Sequence, residues 1–576
     1  MNKKEIKMKY ILTIASFALF MISFGQEDVE IVATGERSVE RTARITINPK
    51  VIDTLIPSDI VKYPLLVLKM ETQTEVEMIS PASIKTKEQL SQLYNSYLKL
   101  GIGTELMPLG EYYFDSQSDL RNSFTEHIKH LSSLGNIADY APSTFDRTGA
   151  EIYGGVNEKR YTLRGNLHYK NQGLHYYAMP TDSIEIIADS IAQRYSDFGI
   201  GGSFASHIKD SAKLNFIAGL NYNNYMSKKP RAEELSDWRA RENYFGVTTS
   251  AWYKHKSEVY AADFNVRYNG YKYGIEGDTL SALDTGIVLN NTVINLKPTI
   301  TTRLWNNRFK AKVGVDITVD VHNKTKAYIY PLAELKYSMF NDIFIPYAGI
   351  RGGLQQNTFK SLTGENEFII PNINLRNENT PIDFYGGIKG TLSKRMSFNA
   401  GISFANVRDK ALFITDTTYS AGNAFNVIYD TINVTTIEGS ISYQLLEKLK
   451  IDGIGRFYSY SARNNNYAWN LPQLQVILRG SYNLYDKFIF NVDLNLEEGR
   501  RALAFDSTAA NVELEGVQLV QKLGFIADAN IGVEYRYNKR ISAFLQFNNV
   551  ASQRYKRWYN APVHGLQVMG GVTFRF

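Results

Sequence analysis

Most of the chain from about residue 95 onward consists of segments in which apolar and polar residues alternate. In residues 309–321, "FKAKVGVDITVDV", the odd positions are apolar, and Lys310, Asp316 and Asp320 lie among the even ones. A period of two predicts a β-strand with one apolar face and one polar face. Such segments reach the roughly 9–11 residues that a tilted strand needs to cross a bilayer, whereas soluble strands average about 5–6.

A second long segment, residues 522–537, carries the same alternation and predicts one continuous strand. Its apolar face runs from Leu523 to Tyr537, opposite polar residues that include Arg536. Polar residues of this kind, among them Asp493, predict an inner face turned towards water. That face is either a plain hydrated lumen or a substrate path, and both interpretations fit the pattern.

The connections between the segments predict a topology. Long connections rich in Asn, Asp, Ser and Gly, such as 172–192, 226–239, 357–379 and 501–517, alternate with short polar ones. The short connections lie near residues 116, 157, 207, 254, 305, 340, 393, 446, 485 and 537. Short inner turns and long outer loops are typical of outer-membrane barrels. We therefore predict an all-β protein, a transmembrane antiparallel β-barrel of about 22 strands, give or take two to four, after a short N-terminal extended segment.

The composition favours a membrane barrel over a large soluble β-protein such as a propeller or a set of sandwiches. A mean hydropathy of −0.27 suits a soluble chain, but 38 Tyr and 30 Phe are many for one. A barrel accounts for both, because its strands face lipid on one side and water on the other, with aromatic rings at the interfaces. A net charge of +6 is small for 576 residues and gives no nucleic-acid footprint. The lack of cysteine excludes disulfides and thiolate metal sites.

The N-terminal sequence predicts export. Four lysines precede an apolar stretch at residues 10–24, which is followed by the small residue Gly25. This order predicts a signal peptide over residues 1–25, whereas the alternative, a transmembrane anchor, needs about 20 apolar residues. Residues 26–92 hold four prolines and little alternation, and predict a periplasmic or lumen-filling segment. Residues 93–576 are predicted to form the outer-membrane β-barrel.

The C-terminal sequence supports the same location. Residues 565–576, "GLQVMGGVTFRF", alternate up to an aromatic residue and follow "FNNV" at 547–550. This part of the chain resembles the last two strands of TonB-dependent outer-membrane receptors. The resemblance implies that Phe576, with Val572 and Phe574 as outward companions, is the signal read by the barrel-assembly machinery. It also implies outer-membrane lipid around the barrel.

A second resemblance lies at residues 27–38, "EDVEIVATGERS", which are similar to the opening strand of such receptors. The residues that would contact TonB, if the resemblance extends to them, are Glu30, Ile31, Val32, Ala33 and Thr34. An ordinary exposed, β-prone segment is the alternative interpretation. The expected partner is thus either TonB or an outer-membrane partner protein.

The resemblance does not extend to the plug domain of that family. Residues 26–92 are too few for such a plug and contain no glycine-rich plug motif. A barrel of this width is not filled by its own wall side chains. The lumen must therefore be closed by the N-terminal segment folded inside, by loops that turn inward, or by a partner chain.

The sequence predicts no catalytic, cofactor or metal site, and we expect the chain not to be an enzyme. His127 and His130 are three residues apart, which on a strand puts them on opposite faces and disfavours a shared metal. Glu497 and Glu498 could do acid–base chemistry. With Arg500 close by, they are better interpreted as a salt bridge of the lumen or a loop.

Barrel size, loop asymmetry and the C-terminal resemblance together predict a receptor-like barrel that binds or passes a ligand across the outer membrane. A structural barrel without a plug, serving as a subunit of an outer-membrane assembly or export complex, is the alternative, because the N-terminal segment is so short.

Overall fold

The computed structural model describes residues 94–116, 121–179, 186–208, 214–228, 239–274, 287–505, 512–515 and 518–576. Three sequence predictions lie outside these residues. They are the signal peptide at 1–25, the segment at 26–92, and the TonB-box-like residues Glu30 to Thr34.

Strands make up most of the described chain. The first eleven are β1 (Ser96–Gly103), β2 (Met107–Asp115), β3 (Asn122–Ser133), β4 (Phe145–Asn157), β5 (Tyr161–His175), β6 (Ala192–Ser206), β7 (Asn215–Lys228), β8 (Arg239–His255), β9 (Glu258–Gly274), β10 (Ile287–Leu304) and β11 (Phe309–Val321). The next eight are β12 (Thr325–Tyr337), β13 (Ile345–Gln355), β14 (Glu378–Ser393), β15 (Met396–Asp416), β16 (Ala424–Leu446), β17 (Leu449–Ala462), β18 (Leu474–Leu484) and β19 (Phe488–Glu498).

A small three-stranded sheet follows, made of β20 (Arg500–Leu503), β21 (Val512–Glu515) and β22 (Gln518–Leu523). The chain then returns to the large sheet with β23 (Ile526–Arg536) and β24 (Ile541–Asn548), forms a short pair from β25 (Lys556–Trp558) and β26 (Ala561–Pro562), and adds β27 (Gln567–Arg575). The helices among the described residues are α1 (Ala188–Ile191) and α2 (Phe359–Glu365). No helix in the described part of the chain is long and apolar enough to span a membrane.

The large sheet has 22 strands and closes into a ring. Each strand from β1 to β19 pairs antiparallel with the next, β19 pairs with β23, β23 with β24, β24 with β27, and β27 with β1. The predicted all-β barrel and its strand count are confirmed. Ten short connections join strand ends at one end of the ring, each at a position that the sequence predicts. We call this the inner end, facing the periplasm, and the end that carries the long loops the outer end.

The two faces of the wall follow the alternation of the sequence. In β11, Val313 and Val315 are exposed on the outside, whereas Asp316 and Asp320 are buried on the lumen side. The lumen orientation predicted for Lys310, Asp316, Asp320, Asp493 and Arg536 agrees with the strand pairing. A closed ring with an apolar outer face satisfies every strand edge and meets lipid, which places the protein in the outer membrane.

Aromatic residues begin several of the inner turns. Trp305, Phe340 and Tyr485 adopt left-handed backbone angles, with φ of 50°, 52° and 54°. Each is followed by Asn or Asp in the same conformation, which suits a tight turn between antiparallel strands. All three side chains are largely exposed, as expected for amphipathic rings at the inner membrane–water interface.

The ring closes between the first and last strands. β1 pairs with β27 from Tyr97 opposite Arg575 to Gly103 opposite Met569. Val572, Phe574 and Phe576 alternate with the lumen-facing residues of β27 and therefore point outward. Their outward orientation agrees with the sequence analysis, and their reading by the assembly machinery stays a prediction.

The single strand predicted over residues 522–537 is wrong in one respect. The backbone leaves the strand conformation at 524–525, so the segment divides between β22 and β23. Leu523 is buried in the apolar core at the outer end of the barrel, in contact with loops rather than lipid. The alternation continues through the break because both parts are strands with one apolar face: β22 turns that face to the core, and β23 turns it to the outside of the barrel.

The seam between β1 and β27 depends on the lack of a side chain at Gly571. A Cβ there would collide with the carbonyl oxygen of Leu100 and lie 2.6 Å from the ring of Phe544, whereas one at Gly570 would meet Leu545 at an ordinary 3.6 Å. We predict that Gly571→Ala lowers the stability of the barrel by about 1–3 kcal/mol, the usual range for overpacking. Thermal unfolding, followed by the mobility shift of unheated samples on SDS gels, measures this effect. The adjacent control, Gly570→Ala, should leave the unfolding temperature unchanged, and equal effects of both variants would contradict the account.

Candidate functional site: an inward loop at the outer end

The connection between β13 and β14 turns into the barrel. We call residues 356–377, "QNTFKSLTGENEFIIPNINLRN", the inward loop. Thr358 caps α2 within it, since its hydroxyl accepts from the Ser361 amide at 3.0 Å. The Ser361 hydroxyl in turn accepts from the Thr358 amide at 2.9 Å. This reciprocal capping box fixes the start of a helix that would be marginal as an isolated peptide.

A buried carboxylate holds the first turn of α2 against the wall. Glu242 of β8, which is 2% exposed, accepts hydrogen bonds from the backbone amides of Phe359 and Lys360. Asn269 of β9 donates to the same carboxylate at 3.2 Å. The first amides of a helix lack partners within it and carry partial positive charge, so a carboxylate stabilises them.

The side chain of Lys360 makes a second contact with the wall. Its Nζ lies 2.7 Å from Asp197 Oδ2 on β6. The same carboxylate lies 3.2 Å from His168 Nε2 and accepts from Asn223 at 3.2 Å. Removing one partner of a buried ion pair is strongly destabilising, because the other charge is then left uncompensated. Asp197 therefore fixes the position of α2 over β5, β6 and β7.

The loop then reaches both sides of the barrel. Tyr176, which follows β5, donates from its hydroxyl to the Ile369 carbonyl at 2.9 Å. Burial raises the pKa of Tyr176 to about 12, so the hydroxyl stays protonated and available as a donor. Opposite, the Ile370 amide donates to the carbonyl of Phe425 in β16 at 2.9 Å. Since β5 and β16 are eleven strands apart in a ring of 22, the inward loop crosses the outer mouth.

The crossing is stabilised by an apolar core. Six side chains of the loop are 2% exposed or less, and they are Phe359, Leu362, Ile369, Ile370, Ile373 and Leu375. The ring of Phe359 packs against the lumen-facing side chains of Tyr195, Tyr225 and Tyr271, which come from β6, β7 and β9. The ring centroids are 5.5–6.2 Å apart. Each such buried side chain contributes about 1.5–3 kcal/mol. Docking of the loop is therefore driven mainly by apolar burial.

Polar contacts also hold the first and last residues of the inward loop against the barrel wall. Asn377 donates to Asn291 at 3.1 Å and to Asp320 at 2.8 Å, and Gln356 donates to the Asn291 carbonyl at 3.0 Å. Tyr271 donates to the carbonyl of Pro371. Both ends of the loop are thereby held against the lumen side of β9, β10 and β11.

Other outer loops pack over the inward loop. The Tyr177 hydroxyl donates to the Pro562 carbonyl at 2.7 Å, which joins the loop after β5 to the β25–β26 pair. Trp558 lies against Phe413 and Phe425 at centroid distances of 5.2 and 5.9 Å. The outer mouth is consequently filled by a core that several connections build together.

The structure also places the histidines and the glutamate that the sequence analysis considered as candidates for metal binding or acid–base chemistry. His127 faces the lumen, 3.1 Å from Glu111, whereas His130 is outside and bonds Thr148, so the two do not share a ligand. Glu497 lies 4.0 Å from Arg500, as a salt bridge. Among the described residues, no group of three or more His, Asp or Glu side chains is placed to hold a metal ion.

Sequence reasoning did not identify Glu242, Asp197 or Lys360 as partners. The sequence does contain one signal that this loop is buried, the run "FIIPNINL" at 368–375. Four large aliphatic residues and a phenylalanine are unusual in an exposed loop. Of the three closures that the sequence leaves open, the described residues show the second, a loop that turns inward.

The barrel is similar in fold to solved outer-membrane receptors. The siderophore receptor PirA from Acinetobacter baumannii matches with a TM-score of 0.63 and 10% identity, over 85% of this chain and 81% of that one. The FrpB iron transporter from Neisseria meningitidis gives 0.63 and 11%, over 84% and 82%, and the copper transporter OprC gives 0.60 and 11%, over 84% and 80%. No protein-family model matches the chain, and no curated protein matches it.

We predict that Glu242→Ala loosens the inward loop, because it leaves two helix amides and Asn269 without their acceptor, at a cost of about 1–3 kcal/mol. Proteolysis tracks the population of the open form, so trypsin cleavage after Lys360 should become at least about fivefold faster. Glu334→Ala is the matched control, since Glu334 is a lumen carboxylate bonded to Lys336 and Tyr385 away from the loop. Unchanged cleavage in Glu242→Ala, or equal acceleration in both variants, would refute the anchor.

Proposed function

We propose, from the barrel fold that this chain shares with TonB-dependent outer-membrane receptors, that it binds a ligand at the cell surface and passes it across the outer membrane. In this proposal the inward loop is the gate of the outer mouth. The observation that carries it is the crossing of the mouth by residues 369 and 370, which are bonded to opposite sides of the ring.

The inward loop can undock without opening the barrel wall. β13 and β14, which flank the inward loop, pair directly with each other from Ile345 opposite Lys389 to Gln355 opposite Glu378. The ring of strands therefore stays closed whether the loop is docked or not. The ladder contact between the loop and a barrel strand is an isolated bridge, between Ile369 and Phe425. Undocking exposes apolar side chains but breaks no barrel seam, as a hinged gate requires.

The neighbours support a receptor or transporter rather than an enzyme. PirA is a siderophore receptor, FrpB an iron transporter and OprC a copper transporter. We propose that TonB supplies the energy for opening this chain, with Glu30 to Thr34 as its contact. Phe576, with Val572 and Phe574, is proposed as the signal for the assembly machinery.

A reversible cross-link tests the gate. Since the chain has no cysteine, Ile369→Cys with Phe425→Cys introduces one pair at a backbone bridge, where a disulfide is geometrically reasonable. In planar bilayers we predict that the oxidised full-length protein never opens and that the reduced form shows openings. A chain lacking residues 359–376 should conduct more than either form. The reduced double variant is the control for the lost side chains.

The same experiment distinguishes a transporting receptor from the alternative function, a structural subunit of an outer-membrane complex. If neither reduction nor deletion changes the conductance, passage through this lumen is contradicted. A structural subunit would then be indicated by stoichiometric partner proteins after purification in mild detergent, and a receptor by their absence together with gated openings.

A further inference from the structure

The lumen face of β5 changes character between the outer and inner ends. Its even-numbered residues from 164 to 172 form a polar row, and the three outermost are engaged. His168 contacts Asp197 at 3.2 Å, Lys170 contacts Glu151 at 2.6 Å, and Gln172 donates to Glu367 of the inward loop. Arg164 and Asn166, the two innermost, make no side-chain hydrogen bond or ion pair among the described residues. A guanidinium without an anion is an available binding group.

These two side chains line a cavity of about 660 Å³ on the walls β3 to β8. Its other polar side chains are hydroxyls and amides, contributed by Ser123, Thr125, Tyr153, Asn157, Ser203, Asn221 and Thr248. No carboxylate is among the lining residues that the structure describes. The neighbouring Glu151 is already neutralised by Lys170 and accepts from the Tyr153 hydroxyl at 3.0 Å. Arg164 therefore gives the cavity a net positive charge.

Glycines give the cavity its floor. A Cβ at Gly201 would collide with the amide of Asn166, and one at Gly246 would collide with the amide of Asn221. The lack of those Cβ atoms lets each amide lie directly over the neighbouring glycine, and both amides line the cavity. Amides placed in this way offer both donors and acceptors to one ligand.

We propose that this cavity binds a small hydroxylated carboxylate, of the sugar-acid class. The guanidinium of Arg164 takes the carboxylate, for which its planar pair of N–H donors is shaped. Asn166, Asn221 and Thr248 exchange hydrogen bonds with the hydroxyls. The exposed ring of Tyr153 offers an apolar surface to the C–H face of the ligand.

The site lies between the inward loop and the inner end. Arg164 is three residues from the start of β5, whereas Gln172 near the other end meets the inward loop. A ligand that passes the gate towards the inner end would therefore come within reach of Arg164. That such a ligand is carried across the membrane rests on the proposed function, but binding itself does not require the gate to move.

Binding is tested by calorimetric titration of the detergent-solubilised full chain with glucuronate, with glucose as the uncharged probe. We expect saturable binding of glucuronate and much weaker binding of glucose. Loss of a charge-assisted contact should weaken glucuronate binding about tenfold or more in Arg164→Gln, and loss of the amide should weaken it in Asn166→Ala. Lys312→Gln is the matched control, because Lys312 is a lumen-facing cation on β11, away from the cavity.

Absence of saturable glucuronate binding would overturn the site, as would an equal loss in Lys312→Gln. If Arg164→Gln fails to give a folded barrel on unheated SDS gels, Asn166→Ala and the glucuronate-to-glucose ratio of the unmodified chain decide the question. Binding that survives in a chain whose conductance never changes would refute passage and keep the site. Gated conductance without binding would refute the site alone.

Discussion

A ring of 22 strands encloses more space than its own wall side chains can fill, and this constraint governs the rest of the structure. Lumen-facing residues must either meet water or be covered. Below the outer end they remain polar and exposed, as for Arg479 and Asp493, whose side chains are more than half exposed although they pair at 3.3 Å. At the outer end a segment of the chain itself fills the opening. The inward loop supplies the apolar surface that turns this end of the lumen into a core.

Two kinds of force keep the loop in place, and they have different roles. Apolar burial of residues such as Ile369 and Ile370 provides most of the stabilisation, because these side chains lose all contact with water. The polar contacts at Glu242 and Asp197 determine where α2 docks, since a helix amide or a lysine must meet its partner at one place on the wall. Polar contacts exchange for water at small net cost, so the free energy needed to release the loop is set mainly by its apolar surface.

The strands were predictable because each one is a local pattern with a period of two. The odd and even positions of 309–321 already specify which face meets lipid, and the turn residues near 305, 340 and 485 specify where strands end. The contacts of the inward loop were not predictable in this way. Glu242 and Phe359 are 117 residues apart, and their meeting depends on how the closed ring brings β8 beneath the loop. The break at 524–525 was missed for the same reason, since it separates a strand of the small sheet from a strand of the barrel, which is a tertiary arrangement.

Hydrogen exchange in lipid nanodiscs tests whether the inward loop is docked across the outer mouth in the resting protein. The amide of Ile370 donates to the Phe425 carbonyl within a dry core, so the account predicts that peptides covering 368–375 exchange as slowly as those of the barrel strands. The outer connection at 417–422 serves as the fast reference. Exchange of 368–375 at the rate of that reference would contradict the account.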